Sequence, residues 1–203
     1  MSKRLSSRYM RAALAAAGAL WLHAALPSPV LADAADTEAS EKYLREGKEF
    51  IKKGDGNAAI IQLKNALQAD PGNVVARQLL GELYLTGRNG PSAEKEFRAA
   101  IRRGAESPNL KVLLARALLM QGKYRDALEQ VSGPFDDPKT RAGALAVRGR
   151  AHLGLNQIAE AREALTEADT LAPDGIEAKI ALARSYVSER RVDDAEAQVD
   201  QAL

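Results

Sequence analysis

The sequence predicts an all-α superhelical solenoid of about five helix–turn–helix repeats, following an N-terminal signal segment. Three observations carry this. Alanine recurs every 34 residues, at Ala59, Ala93, Ala127, Ala161 and Ala195. Small and bulky residues elsewhere keep the same phase. The composition, 46% hydrophobic but only 4% aromatic and without cysteine, suits helices that rest on packing rather than on disulfides. A fixed period of this size means that each unit buries its apolar face only against its neighbours.

With the alanine placed at position 20 of the unit, the repeats run 40–73, 74–107, 108–141, 142–175 and 176–203, the last incomplete. Position 8 is Gly47, Gly81, Ala115, Gly149 and Ala183, and position 27 is Ala66, Ala100, Pro134, Ala168 and Ala202. Small residues there let two helices approach closely. Bulky residues fill the space between them, at position 11 (Phe50, Tyr84, Leu118, His152, Tyr186) and at position 24 (Leu63, Phe97, Val131, Leu165, Val199). The 4/7/8/11 spacing is one face of a first helix, A. Gly54-Asp55-Gly56 and Gly122-Lys123 supply the turn to a second helix, B, and Pro71 and Pro173 stand past its end, where proline cannot continue a helix.

The second, third and fifth units depart locally from this scheme. Position 4 carries Tyr43 in the first unit but Arg77, Lys111 and Lys179 in the second, third and fifth. Glu106-Ser107-Pro108 displaces the proline that closes the second unit. Pro134, followed by Phe135-Asp136-Asp137-Pro138, predicts that helix B of the third unit is cut to two or three turns.

Five units in phase over residues 40–203 resemble the tetratricopeptide repeat (TPR) family. The resemblance implies right-handed stacking of helix pairs, with a concave groove lined by helix A that takes a protein or peptide. The family's carboxylate clamp, Lys at position 5 and Asn at position 9, finds no match; the first unit has Leu44 and Lys48 there. Three stretches, YLREG from Tyr43, the run from Ala58 to Leu85 that contains IIQLKNALQ, and GPSAEKEFRAAIRRGA from Gly90, are similar to the large TPR protein of the bacterial PEP-CTERM/exosortase system, which accompanies exopolysaccharide gene clusters.

Residues 1–32 read as a signal peptide. Lys3, Arg4, Arg8 and Arg11 form a basic start with no acid, an apolar run spans 12–26, and Val30-Leu31-Ala32 fits cleavage before Asp33. The run is short of the roughly 20 residues that a span needs, so a membrane anchor at 12–26 is the lesser alternative. Without a cysteine there is no lipidation site. Residues 33–39 read as a polar linker. The net charge of +2 comes from the leader; the rest of the chain stands at −2, which gives no electrostatic case for nucleic acid. The expected location is the periplasm, with association to the envelope left open.

No catalytic set emerges. Beyond the leader there is one histidine, His152, and no cysteine, too few for a zinc site or a Ser-His-Asp triad. No phosphate loop is present. The expectation is a non-enzymatic scaffold with no cofactor and no metal. On helix A, position 9 reads Lys48, Glu82, Arg116, Arg150 and Arg184, and position 12 reads Ile51, Leu85, Leu119, Leu153 and Val187. Residues three apart share a helix face, so Lys48, Arg116, Arg150 and Arg184 with Leu119 and Leu153 are the candidate contacts for a partner with acidic groups; the competing reading is a solvated row.

Two further roles stay open: an accessory subunit that binds polysaccharide during export, for which aromatic platforms are sparse, and a general factor of cell-envelope or outer-membrane assembly. Leu203 falls inside helix B of the fifth unit with no capping helix after it, which predicts a piece of a longer array.

Overall fold

A computed structural model describes residues 29–202, with side chains from residue 36 onward. The leader reading, including the apolar run 12–26, lies outside these residues except for Pro29–Ala32. Among the described residues there are ten helices and no strand: α1 (Pro29–Lys52), α2 (Gly56–Ala69), α3 (Val74–Thr86), α4 (Gly90–Arg102), α5 (Pro108–Leu119), α6 (Tyr124–Gln130), α7 (Pro138–Gly154), α8 (Ile158–Leu171), α9 (Ile176–Ser188) and α10 (Val192–Asp200). Odd-numbered helices are the A helices and even-numbered ones the B helices. Each A helix packs on its own B helix, and each B helix on the next A helix.

The turn between A and B is built the same way five times. Position 15 has positive φ in every unit: Gly54 (75°), Arg88 (56°), Gly122 (71°), Asn156 (60°) and Arg190 (61°). The next residue donates its backbone N–H to the carbonyl of position 11, as in Asp55 to Phe50, Asn89 to Tyr84, Lys123 to Leu118, Gln157 to His152 and Arg191 to Tyr186. This is the helix stop in which one left-handed residue lets the following amide reach back over the last turn. Asp55 and Asn89 then cap the B helix through their side chains, which accept from Ala58 and Ser92. Arg88 and Arg190 occupy the left-handed region without glycine's freedom, at a cost of about 1–2 kcal/mol each.

Packing follows from position 20, where all five alanines are buried. Position 8 faces position 24 of the same unit. A Cβ on Gly47 would lie 3.0 Å from Leu63, on Gly81 2.5 Å from the Phe97 ring, and on Gly149 2.3 Å from Leu165. Where position 8 is alanine, at Ala115 and Ala183, position 24 shrinks to Val131 and Val199. The middle of the array is the most deeply buried part. Eight of the twelve residues of α5 are buried, which is the pattern of a helix apolar all round.

Helix B of the third unit is short, as its proline predicts: α6 has seven residues and Pro134 is exposed beyond it. The released chain starts α7 a turn ahead of the repeat boundary at Ala142, with Pro138 in its first turn and Asp137 accepting from the Thr140 N–H at 2.7 Å. Arg148 at position 7 donates to the Val131 carbonyl at 2.7 Å and so satisfies the truncated end of α6. At the N-terminus, residues 33–39, read as a linker, are helical and continuous with α1. They lack the proline or glycine that would stop a helix entering Ser40.

Two of the three basic residues at position 4 also have a structural reason, while Lys111 is exposed. Arg77 donates to the Pro71 carbonyl and pairs with buried Glu96 at 3.0 Å, while Lys179 donates to the Pro173 carbonyl and pairs with Asp169. Pro71 and Pro173 are the equivalent turn residues of the preceding units, so each cation holds the hinge between two repeats.

Candidate functional site

The A helices form the inner layer of the array. Consecutive A helices α3, α5, α7 and α9 touch one another, whereas consecutive B helices share at most isolated contacts among the described residues. An array whose A helices crowd together while its B helices spread apart bends toward the A side.

Two adjoining hollows open on that side, across α5, α7 and α9. The larger, about 670 Å³, is lined by Leu119 of α5, Tyr124 at the start of α6, Arg150 and Leu153 of α7, and Ile176, Ile180 and Arg184 of α9, among others. The smaller, about 400 Å³, includes Val112 and Arg116 of α5, Lys139, Gly143 and Ala146 of α7, and Ala178 of α9. Ile176 and Ile180 are 54% and 45% exposed, which is unusual for isoleucine and marks an uncovered apolar stripe one turn apart on α9.

Glu177 stands in the lining of both hollows and forms the wall between them. Its Oε2 accepts from Arg116 Nη2 at 2.8 Å and its Oε1 from Arg150 Nη1. One carboxylate on α9 thereby ties α5 to α7, with both oxygens engaged and each partner about one-third exposed. Charge-assisted pairs of this kind are strong and directional. Glu177 also sits in the first turn of α9, where the helix dipole favours an anion.

The structure thus brings four of the expected contacts together and separates two. Leu119, Leu153, Arg150 and Arg184 line the larger hollow. Arg116 belongs to the smaller one. Lys48 is exposed on α1, away from both. Arg116 and Arg150 are neither a free ridge nor a plain solvated row, because Glu177 already holds them. The Arg184 side chain is exposed and makes no hydrogen bond or ion pair among the described residues; its backbone carbonyl accepts from the Ser188 hydroxyl. Glu177, Ile176 and Ile180, at positions 2, 1 and 5 of the fifth unit, were not singled out by the pattern of positions 9 and 12. Positions 2 and 5 lie seven and four residues before position 9 on the same helix face, and that spacing was the available signal.

His152, in the aromatic slot, is half-buried and its Nδ1 lies 2.8 Å from Gln157 Oε1, a role in the A–B turn. Among the described residues no cluster of His, Cys, Asp or Glu could hold a metal ion, and no helix is long and apolar enough to cross a membrane. Among the described residues, the carboxyl pushed far from its ordinary range is that of Glu94 on α4. Burial raises it, but hydrogen bonds from Lys123, Gln121 and Arg98 outweigh that and hold it at about 2, as in a structural clasp between α4 and the α5–α6 turn.

With the helix pairs, the A–B turns and the inner face described, the sequence matches the tetratricopeptide repeat at residues 50–111, 112–176 and 152–203. The chain belongs to the tetratricopeptide repeat family. Among curated relatives it is 31% identical over 111 residues to human Superkiller complex protein 3, covering 55% of this chain and 7% of that one. It is 25% identical over 140 residues to Type IV pilus assembly protein PilF of Pseudomonas aeruginosa, covering 67% of this chain and 55% of PilF. The chain therefore spans at most about half the length of these relatives. The solved PilF structure superposes with a TM-score of 0.64 at 20% identity, over 83% of this chain and 77% of that one. YrrB, a TPR protein with an unusual peptide-binding site, does so with a TM-score of 0.59 at 19% identity, over 83% and 90%. At these identities the superpositions establish the shared fold.

Proposed function

We propose that this chain is a non-enzymatic, exported scaffold that holds a segment of another protein against the inner face of α5, α7 and α9. The observation that supports it most is the larger hollow, where Leu119, Leu153, Ile176 and Ile180 offer an uncovered apolar floor beside Arg184. An apolar floor with a few charged groups at its edge suits a peptide chain: burial supplies affinity and the charges fix register. Protein or peptide binding is the general work of TPR proteins, and YrrB offers a peptide-binding example on a similar frame. The sparse aromatics argue against stacking on sugar rings; Tyr124, the aromatic of the larger hollow, is packed against Gly154, where a Cβ would lie 2.4 Å from its ring.

The setting we propose is the bacterial envelope, with the leader of residues 1–32 directing export. Within it, the likeness of residues 43–105 to the PEP-CTERM/exosortase TPR protein favours a part in exopolysaccharide-linked protein sorting. The 25% identity to PilF favours a second reading, the assembly of an envelope machine. The test is capture from periplasmic and envelope extracts with the purified chain, run beside binding to purified exopolysaccharide. A specific protein captured by the wild type and lost with Leu153→Asp supports the scaffold. Saccharide binding without a protein partner overturns it.

A further inference from the structure

Resting on the reading of the inner face as the binding face, we propose that Glu177 is an internal competitor within the basic row, and that the hollow takes an acidic, aliphatic peptide segment whose carboxylate is read by Arg184. The charge around the two hollows is lopsided. Arg116, Lys139, Arg150 and Arg184 stand against Glu177 alone. Arg116 and Arg150 are held by Glu177, whereas the side chains of Lys139 and Arg184 make no hydrogen bond or ion pair among the described residues, and of these two Arg184 is the one that lines the larger hollow. This positive groove belongs to a chain whose residues 33–203 are net negative. Complementary charge of that kind selects acidic partners and rejects basic ones.

The apolar part of the partner follows from the floor. Ile176 and Ile180 lie on the same α9 face as Arg184, at spacings of eight and four residues, so an aliphatic side chain settled over them places its neighbours beside the guanidinium. Arginine's planar fork matches a carboxylate with two hydrogen bonds.

Glu177 sets how much acid the groove demands. It presents a carboxylate to Arg116 and Arg150 from within the fold, so an incoming carboxylate competes with a tethered one at high effective concentration. A segment with one acidic group engages Arg184 and leaves the bridge intact. Only a segment with several acids displaces Glu177 and gains the two central arginines. Glu177 is thus a positioning and selectivity residue, and its removal strengthens acidic ligands specifically.

The test uses the full chain and two fluorescein-labelled synthetic peptides read by fluorescence anisotropy: a three-leucine core flanked on each side by two aspartates, and the same peptide with asparagines. The expected result is binding of the aspartate probe and binding about fivefold weaker or less for the asparagine probe. Glu177→Gln should tighten the aspartate probe several-fold and leave the asparagine probe unchanged, and Arg184→Glu should weaken the aspartate probe about tenfold. Circular dichroism melts accompany each variant. Should Glu177→Gln loosen the fold, Arg184→Gln, which breaks no pair within the protein, still tests the reader. An aspartate probe no tighter than its asparagine twin, or indifference to both Arg184 variants, overturns the proposal. So does a Glu177→Gln protein of normal stability that binds the aspartate probe no better. If neither probe binds while an envelope protein is still captured and then lost with Leu153→Asp, the binding face stands and the acidic-peptide proposal falls. If capture is indifferent to Leu153→Asp as well, both fall.

Discussion

At the scale of single residues, the repeat is written in a trade between positions 8 and 24. Glycine at Gly81 and Gly149 meets Phe97 and Leu165 at distances that leave no room for a Cβ, Gly47 meets Leu63 at a tight 3.0 Å, and alanine at Ala115 and Ala183 accompanies valine. Phe97 is fully buried, so its ring has little freedom to retreat. Gly81→Ala should therefore cost about 1–3 kcal/mol through overpacking, despite alanine's better helix propensity. In a Phe97→Val background the same change should cost close to nothing, because the pair then copies Ala115–Val131. Thermal or urea denaturation of the four proteins of this cycle checks it, and additive costs would contradict the pairing. This much was legible in the sequence, since small and bulky residues recur in phase. The basic residues at position 4 were visible only as departures. Their carbonyl partners, Pro71 and Pro173, share one position of the repeat, but the carboxylates of Glu96 and Asp169 come from different positions, so the pairing belongs to the tertiary arrangement and does not repeat with the period.

At the scale of elements, the third repeat is the odd joint. Its helix A, α5, is the most buried of the described helices, while its helix B, α6, has two turns held by Ala127, Val131 and the Arg148 clasp. Short helices carry few protected amides, and local opening takes the least supported segment first. Hydrogen exchange under native conditions should find Tyr124–Val131 exchanging faster than the B helices α2, α4 and α8; slower exchange there would contradict this account. The same joint has an acid-sensitive clasp. Glu94 is held at about 2 against the ordinary 4.5, so its contribution to stability is present above about 4.5 and is lost as pH falls from there toward 2. Replacing Glu94 with glutamine should flatten the loss of melting temperature over that window and leave the rest of the pH profile in place. An unchanged acid slope would show that the clasp adds no stability. The proline that shortens α6 was plain in the sequence. The early start of α7 and the reach of Arg148 were not, because both answer the geometry that the shortening leaves behind.

At the scale of the whole molecule, the period made the array and the A–B order legible in the sequence, and the family resemblance implied the inner layer of A helices. The site was half legible. Positions 9 and 12 pick out Leu119, Leu153, Arg150 and Arg184 as a row along successive A helices, but give no sign that Glu177, at position 2, crosses from α9 to both α5 and α7. In the function proposed here the inner face, not the outer one, receives a protein segment. Photo-crosslinking in living cells tests it most directly, with a benzophenone amino acid placed at Ile180 on the inner face or at Ile61 on the B helix α2, which are 45% and 59% exposed. A discrete protein adduct is expected from position 180, abolished by Leu153→Asp, and none from position 61. An adduct from position 61 with none from position 180 would contradict the proposed function.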